Sequence, residues 1–378
     1  MKKIGIIIVI LLVCFCILFN NKNKKTIEKT KPVSNQYDSE LFHKYYPAAD
    51  KILKNMTLEE KVGQLFLVRY DFNLADLEIE KYHPAGYIFF AKDFENEDRK
   101  SFSEKINNYQ EKSKIPLTIA VDEEGGIVTR VSRYTQFREE KFLSPRTYYD
   151  QGGFSLLEDI EKEKANLLLS LGINLNLAPV ADVSINQDDY IYERSFKDGP
   201  TLTSEFVKRV VNISNNLMIS SCLKHFPGYG NNSDTHTGIA IDKKSYDNFL
   251  NNDYIPFEAG IKANVPTILV SHNIIEAIDD KYPASLSPKI HKELRKKLNF
   301  SGIIITDDLA MDAVNQYTSD NSAASLAVNA SNDLIITSDF INMYNEVYEN
   351  IKNKKIDIEK VNKAVRRIIA WKMFYKLF

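Results

Sequence analysis

A chain of 378 residues that is 44% apolar and 26% charged can bury a full core, as one large domain or two ordinary ones. Its formal net charge of -2 leaves no electrostatic footprint for nucleic acid or another acidic polymer. Of its three cysteines, Cys14 and Cys16 fall in the first twenty residues, so the rest of the chain holds Cys222 alone and cannot close a disulfide within itself.

The N-terminus differs from everything after it. Lys2 and Lys3 precede an unbroken apolar stretch from Ile4 to Phe19, followed by NNKNKK. That is a basic region and an apolar core, long for a signal peptide and slightly short for a full span. No small-x-small cleavage site follows. Val13 and Phe15 occupy places where a lipobox needs small residues. Residues 1–20 are therefore expected to form an uncleaved signal-anchor, with export and lipoprotein processing as the alternative. The rest of the chain would then lie outside the cytoplasmic membrane, or be secreted if the leader is cut. Residues 21–36, rich in Lys, Asn and Thr, read as a polar linker, and residues 37–378 as one domain.

From residue 37 onward, short apolar runs alternate with amphipathic stretches. The runs are QLFLVRY (64–70), AGYIFF (85–90), PLTIAVD (116–122), INLNLAPV (173–180), MISSCLKH (218–225), TILVSH (267–272), GIIITDD (302–308) and DLIITS (333–338). Most are apolar throughout rather than alternating, as parallel strands covered on both faces should be. The first could equally be the end of a helix starting at Thr57. Helices are expected over 99–112, 155–171, 202–217, 245–263 and from 358 to about 375. Eight such units in roughly 320 residues predict a (β/α)8 TIM-type barrel. A doubly wound open sheet would show a glycine-rich phosphate turn after its first strand, and none is present. Cys222, inside MISSCL, reads as a small buried hydrophobe rather than a nucleophile.

Polar residues cluster where these runs end. Asp122 ends the third, Lys224 and His225 the fifth, His272 the sixth, and Asp307 and Asp308 the seventh. In a barrel enzyme the strand C-termini build the active site. Any one of these residues could be a helix cap or a satisfied buried group. Together they read as a site. The stretch KHFPGYGNNSDTHTG (224–238) adds two imidazoles, an ammonium and a carboxylate among three glycines. A metal bound by His225, His236 and Asp234 would have Lys224 beside it, and no other His or Cys spacing supports one, so neither metal nor cofactor is expected.

Two groups on opposite sides of a scissile bond are the apparatus of glycoside hydrolysis. Asp307, held after small Thr306 and before apolar Leu309 and Met311, suits attack on an anomeric carbon. Asp234-Thr-His236 offers an imidazole oriented by a carboxylate, able to give and take a proton. Gly228, Gly230 and Gly238 suggest a loop that moves over the substrate.

From Met56 to about Ser338 the chain resembles glycoside hydrolase family 3, in particular its β-N-acetylglucosaminidase branch that acts on peptidoglycan fragments. The resemblance rests on MTLEEKVGQLFLV, VDEEGGIVTRV, ERSF, KHFPGYG with the following SDTH, and ITDDLAM, in that order. It implies Asp307 as nucleophile and His236 as acid/base, paired with Asp234. It further implies sugar contacts from Asp122, Arg130, Arg194, Lys224 and His225, with Glu123 and Glu124 in supporting roles. The implied activity is that of a retaining exo-β-N-acetylglucosaminidase acting on N-acetylglucosamine-containing saccharides or muropeptides. A phosphorylase with the same nucleophile, since a histidine acid/base does not repel phosphate, and a surface sugar-binding protein with a dead site are the alternatives. Two features depart from the family pattern. Tyr229 stands where KHFPGHG has histidine, and the loop to the Asp-x-His pair is one residue shorter. Nothing after residue 340 is long enough for the second domain of larger members, so the site should be complete in the barrel. The aglycone and the oligomeric state are not encoded in these motifs.

Overall fold

The structure is a computed structural model that describes residues 40–230, 240–311 and 323–378, together with residues 314, 317 and 318. The apolar leader, the linker, Asp234, His236 and Gly238 lie outside the described residues. Among the described residues no helix is long and apolar enough to cross a membrane.

Each of the eight apolar runs contains a strand of one parallel sheet. These are β1 (Phe66–Arg69), β2 (Gly86–Phe89), β3 (Thr118–Val121), β4 (Leu175–Asn176) and β5 (Ser220–Phe226). After β6 (Ile241–Asp242) come β7 (Thr267–Val270), β8 (Ile274–Ile275), β9 (Ile303–Thr306) and β10 (Ile335–Thr337). The sheet order is β10-β1-β2-β3-β4-β5-β7-β9. A parallel bridge between Ile305 and Leu334 joins its two ends, with Leu334 N–H donating to Ile304 O and Thr306 N–H to Leu334 O, both at 3.1 Å. The ring is a (β/α)8 barrel. Chain-order neighbours pair because each βα unit returns the chain one strand further round, which parallel pairing requires.

Two short strands, β6 and β8, pair with each other outside the ring. At two residues each they carry too little pattern to be seen in sequence. Within the ring β4 is the shortest, and asparagine side chains extend it. Asn174 Oδ1 accepts the Ile119 amide at 3.0 Å, while Asn176 Oδ1 accepts from Glu123 N–H at 2.9 Å and its Nδ2 donates to Glu123 O at 3.1 Å. These side chains stand in for ladder bonds, fixing β3 to β4 where the backbone alone has little purchase.

The start of the domain resolves the ambiguity at Thr57. Thr57 caps a helix over Leu58–Gly63 through a reciprocal box with Glu60, and the strand begins after it. The helix over Arg99–Lys112 is capped by Asp98. The long helical span Pro145–Ser170 breaks at Gly152 and Gly153, whose backbone is non-helical, so its regular part begins close to residue 155 as expected. The stretch expected as one helix over 245–263 contains a π-helical turn at Phe249–Asp253 before the helix Tyr254–Lys262.

Candidate active site

The polar strand ends converge at the C-terminal rim. Lys224, on β5, reaches over short β4 to Asp122 at the end of β3, with Nζ 2.6 Å from Oδ1. The same ammonium lies 2.7 Å from Glu124 Oε1. Arg194 grips Glu124 with two donors, Nη2 at 2.8 Å and Nε at 3.1 Å. Arg130 closes on the other oxygen of Asp122 at 3.5 Å, its guanidinium over the ring of Phe90. Two carboxylates thus face three cations in one connected set.

Exposure within the set is graded. Lys224 and Glu124 side chains are 3% and 4% exposed, whereas Asp122 and Arg130 are 14% and 21% exposed. The outer members face the opening, and the inner pair holds them. Burial alone would raise the Glu124 carboxyl, but Arg194 and Lys224 prevail and hold it well below the usual carboxylate range. Burial likewise works against the Lys224 ammonium, yet Asp122 and Glu124 keep it above its ordinary value. Charges fixed in this way need no reorganisation when a polar ligand arrives.

His225 belongs to the same set. Its Nε2 lies 3.2 Å from Arg194 Nη2, and its Nδ1 lies 2.7 Å from Asp182 Oδ2. A carboxylate accepts, so Nδ1 carries the proton and Nε2 accepts from the arginine. Lys224 and His225 both serve the site although adjacent in a strand, at a place where the register of β5 against β7 shifts. Asp182 also accepts the His225 amide at 3.0 Å and, through its other oxygen, the Tyr229 amide at 2.6 Å. Sequence reasoning missed Asp182. Its signal is the one used for the others, a carboxylate just past an apolar run, here INLNLAPV.

Asp307 stands at the C-terminal end of β9, partly exposed, with its amide bonded to Val270 O at 3.1 Å. Its Oδ1 accepts the Asp308 amide at 2.9 Å, which fixes the carboxylate. Asp308 is engaged elsewhere: its oxygens accept from Ala310 N–H, Ser338 N–H and Ser338 Oγ. His272 is fully buried and donates from Nε2 to Asp308 O at 3.0 Å, with Ser285 Oγ on Nδ1 at 2.7 Å. It braces this turn. Glu123, also fully buried, accepts the Arg130 and Val131 amides at 2.7 and 2.8 Å and so ties the loop that presents Arg130. Tyr229 is buried, its ring 5.5 Å from both His225 and Tyr190.

The structure therefore brings together Asp122, Arg130, Arg194, Lys224 and His225, and places Asp307 on the same rim, two strands beyond β5 in the ring. Asp234 and His236 fall outside the described residues. Such an arrangement can bind vicinal hydroxyls by forked charge-assisted hydrogen bonds and offer a carboxylate to an electrophilic carbon.

Comparison with known proteins agrees with this chemistry. The model of the glycosyl hydrolase family 3 N-terminal domain matches residues 57–371. Beta-hexosaminidase A of Pseudoalteromonas piscicida is 30% identical over 276 residues, covering 68% of this chain and 46% of its own length. The Beta-hexosaminidase of Haemophilus influenzae (strain PittEE) is 32% identical over 313 residues, covering 76% of this chain and 85% of its own. The chain thus spans under half of the first relative and most of the second. Among solved structures, a glycoside hydrolase family 3 beta-N-acetylglucosaminidase from Paenibacillus sp. str. FPU-7 superposes with a TM-score of 0.79 at 24% identity, over 85% of this chain and 63% of that one. The Beta-N-acetylhexosaminidase from Beutenbergia cavernae DSM 12333 gives 0.74 at 24% identity, over 84% and 99%. The structural likenesses speak for the fold. Together with the match over most of the chain, they lead to one assignment: the protein belongs to glycosyl hydrolase family 3.

Proposed function

We propose that the chain is a retaining exo-β-N-acetylglucosaminidase in which Asp307 is the nucleophile and His236, oriented by Asp234, the acid/base. It is a glycosidase of the β-hexosaminidase kind, and the observation that carries the reading is the ion-paired set of Asp122, Arg130, Arg194 and Lys224 on the rim that bears Asp307. Those side chains, with His225, hold the hydroxyls and acetamido group of the terminal sugar. His236 gives its proton to the glycosidic oxygen as that bond breaks, while an Asp307 oxygen bonds to the anomeric carbon. Water then attacks that carbon, His236 takes the water proton, and Asp307 leaves as carboxylate. Two displacements return the starting anomeric configuration.

The apolar leader and polar linker favour display outside the cytoplasmic membrane, by an anchor or after lipoprotein processing. Muropeptides and other N-acetylglucosamine-containing cell-wall fragments are the substrates such a location would supply. The test is incubation of the full chain with a chromogenic N-acetylglucosaminide and, separately, the matching glucoside, each in phosphate and in phosphate-free buffer. Turnover of the N-acetylglucosaminide, equal in both buffers, is expected. Turnover that needs phosphate would make the protein a phosphorylase, and none of either sugar would make it a binding protein.

A further inference from the structure

Outside the sugar-facing set, the described residues contain a second buried cluster of charges, Asp242, Lys244 and Asp253. Lys244 Nζ lies 2.9 Å from Asp253 Oδ1 and 3.3 Å from Asp242 Oδ2. The Lys244 amide donates to Asp242 Oδ1 at 2.8 Å. Asp242 and Asp253 side chains are 1% and 0% exposed, and Lys244 is 18% exposed with its ammonium over the ring of Phe249. Two buried carboxylates share one ammonium. Among the described residues, none of these hydrogen bonds and ion pairs links the cluster's groups to Asp122, Arg130, Arg194, Lys224 or His225.

What they touch is the approach to the proposed acid/base. Gly228 has φ +128°, and a Cβ there would sit 2.6 Å from Asp253 Oδ1. Gly230 has φ +58°, and a Cβ there would sit 2.6 Å from Lys244 Nζ and 3.7 Å from Asp242 Oδ2. The chain leaving β5 thus runs bare backbone against the cluster. The returning chain supplies two of the cluster's members, Asp242 in β6 and Lys244 just after it, and β6 is bonded to β8 beyond β7. Residues 230 and 242–244 therefore meet at the Lys244 ammonium. Between them in sequence lie Asp234 and His236.

We infer that Asp242, Lys244 and Asp253 form a clamp that joins the two ends of the segment bearing Asp234 and His236, and act as positioning residues for its proton transfer. The inference rests on the assignment of those two residues as the acid/base pair. Charge explains why the clamp holds. Burial pushes the Asp253 carboxyl up to about 6, Asp242 and Asp182 push in the same direction, and Lys244 opposes them. Without the ammonium, the buried Asp253 carboxyl would face the Asp242 carboxyl in a dry site with the Lys244 ion pair gone. Asp253 Oδ2 is buried with no hydrogen-bond partner, so Lys244 is its main compensation.

The experiment compares Lys244→Met and the near-isosteric Asp253→Asn with the wild-type full chain. Two readouts are needed: kcat and KM on N-acetylglucosaminides with an activated phenol and with an unactivated alcohol as leaving group, and hydrogen–deuterium exchange. Displacing a general acid by about an ångström costs up to ~100-fold, and an activated phenol departs without its help. Lys244→Met should lower kcat/KM, which reports the bond-breaking step, by ~10-fold or more on the unactivated substrate and by less than ~3-fold on the activated one. Asp253→Asn should show the same bias more weakly, because Lys244 keeps Asp242. Exchange should quicken within residues 228–244 and stay unchanged in the barrel strands. Equal losses of kcat/KM on both substrates, or unchanged rates, overturn the positioning role. Unchanged exchange in 228–244 overturns the clamp. If the wild type turns over neither substrate the proposed activity fails, and exchange alone judges the clamp.

Discussion

Asp307 and Asp308 are adjacent in the chain, yet their surroundings give them different work. The Asp308 carboxylate is consumed by the Ala310 amide and by the amide and hydroxyl of Ser338. Replacing it with alanine should cost ~1–3 kcal/mol of stability, the usual result of stranding such donors, as a lowered urea midpoint would show. Among the described residues, the partly exposed Asp307 carboxylate accepts the Asp308 amide. Asp307→Ala should keep the wild-type midpoint and lose at least ~10³-fold in kcat, as removal of a nucleophile does. Near wild-type turnover would move the nucleophile elsewhere. His236→Ala should lower kcat/KM on substrates with poor leaving groups by ~10²–10⁴-fold, far more than on activated phenyl glycosides. Equal slowing of both classes would mean that His236 shapes its loop rather than transferring protons. Asp122, Lys224 and His225 were legible in sequence because strand-end position is a local signal, whereas Arg130 and Arg194 came only from the resemblance to the family. Asp182 carries the same signal just past INLNLAPV, but its contact with the His225 ring, 43 positions away, is not legible in the chain. Glu124 was placed only as a supporting group, and its salt bridges to Arg194 and Lys224, 70 and 100 positions away, show why sequence stops there.

At the scale of elements, the loop after β3 shows how a buried carboxylate can position a distant side chain. Glu123 accepts the amides of Arg130 and Val131 and the hydroxyl of Ser132, so it folds the chain back and presents the Arg130 guanidinium beside Asp122. Glu123→Gln exchanges one acceptor oxygen for a donor facing other donors. A charge-assisted bond is worth ~1.5–3 kcal/mol, so KM for the N-acetylglucosaminide should rise by ~10-fold as Arg130 loses its footing. kcat on an activated phenyl glycoside should change much less. An unchanged KM with a lowered unfolding midpoint would reduce Glu123 to a structural role. The eight ring strands could be read from sequence because burial on both faces makes them short apolar runs. β6 and β8 could not, since their pairing depends on the chain before and after β7 being brought together. The π-helical turn at Phe249–Asp253 was equally hidden, because one added residue per turn leaves an amphipathic pattern almost intact.

The barrel as a whole is closed at its opposite end by a lysine that the reaction does not use. Lys372, in the helix Ile358–Phe374, is fully buried and donates to Gln64 Oε1 and to Ala85 O, both at 2.8 Å. Gln64 in turn donates to His83 O and Pro84 O, so this knot ties the last helix to the chain entering β1 and β2. Both acceptors of the lysine are neutral. Burial accordingly pulls its ammonium from an ordinary 10.5 down to about 7. Between those values the unfolded chain holds a proton that the folded protein has released, so stability must rise as pH increases from about 7 toward 10.5. Below 7 both states are protonated, and the cost of the buried charge is present in full. For one such group the slope approaches ~1.4 kcal/mol per pH unit within that window. Lys372→Met keeps the length of the side chain and removes the titration. Its stability should therefore change less than that of the wild type between pH 7 and 9, when both are unfolded in urea under the same conditions. The comparison isolates this residue because every other titrating group is common to the two proteins. Parallel pH dependences would show that Lys372 stays charged in its buried site, held by acceptors stronger than the two neutral oxygens bonded to it.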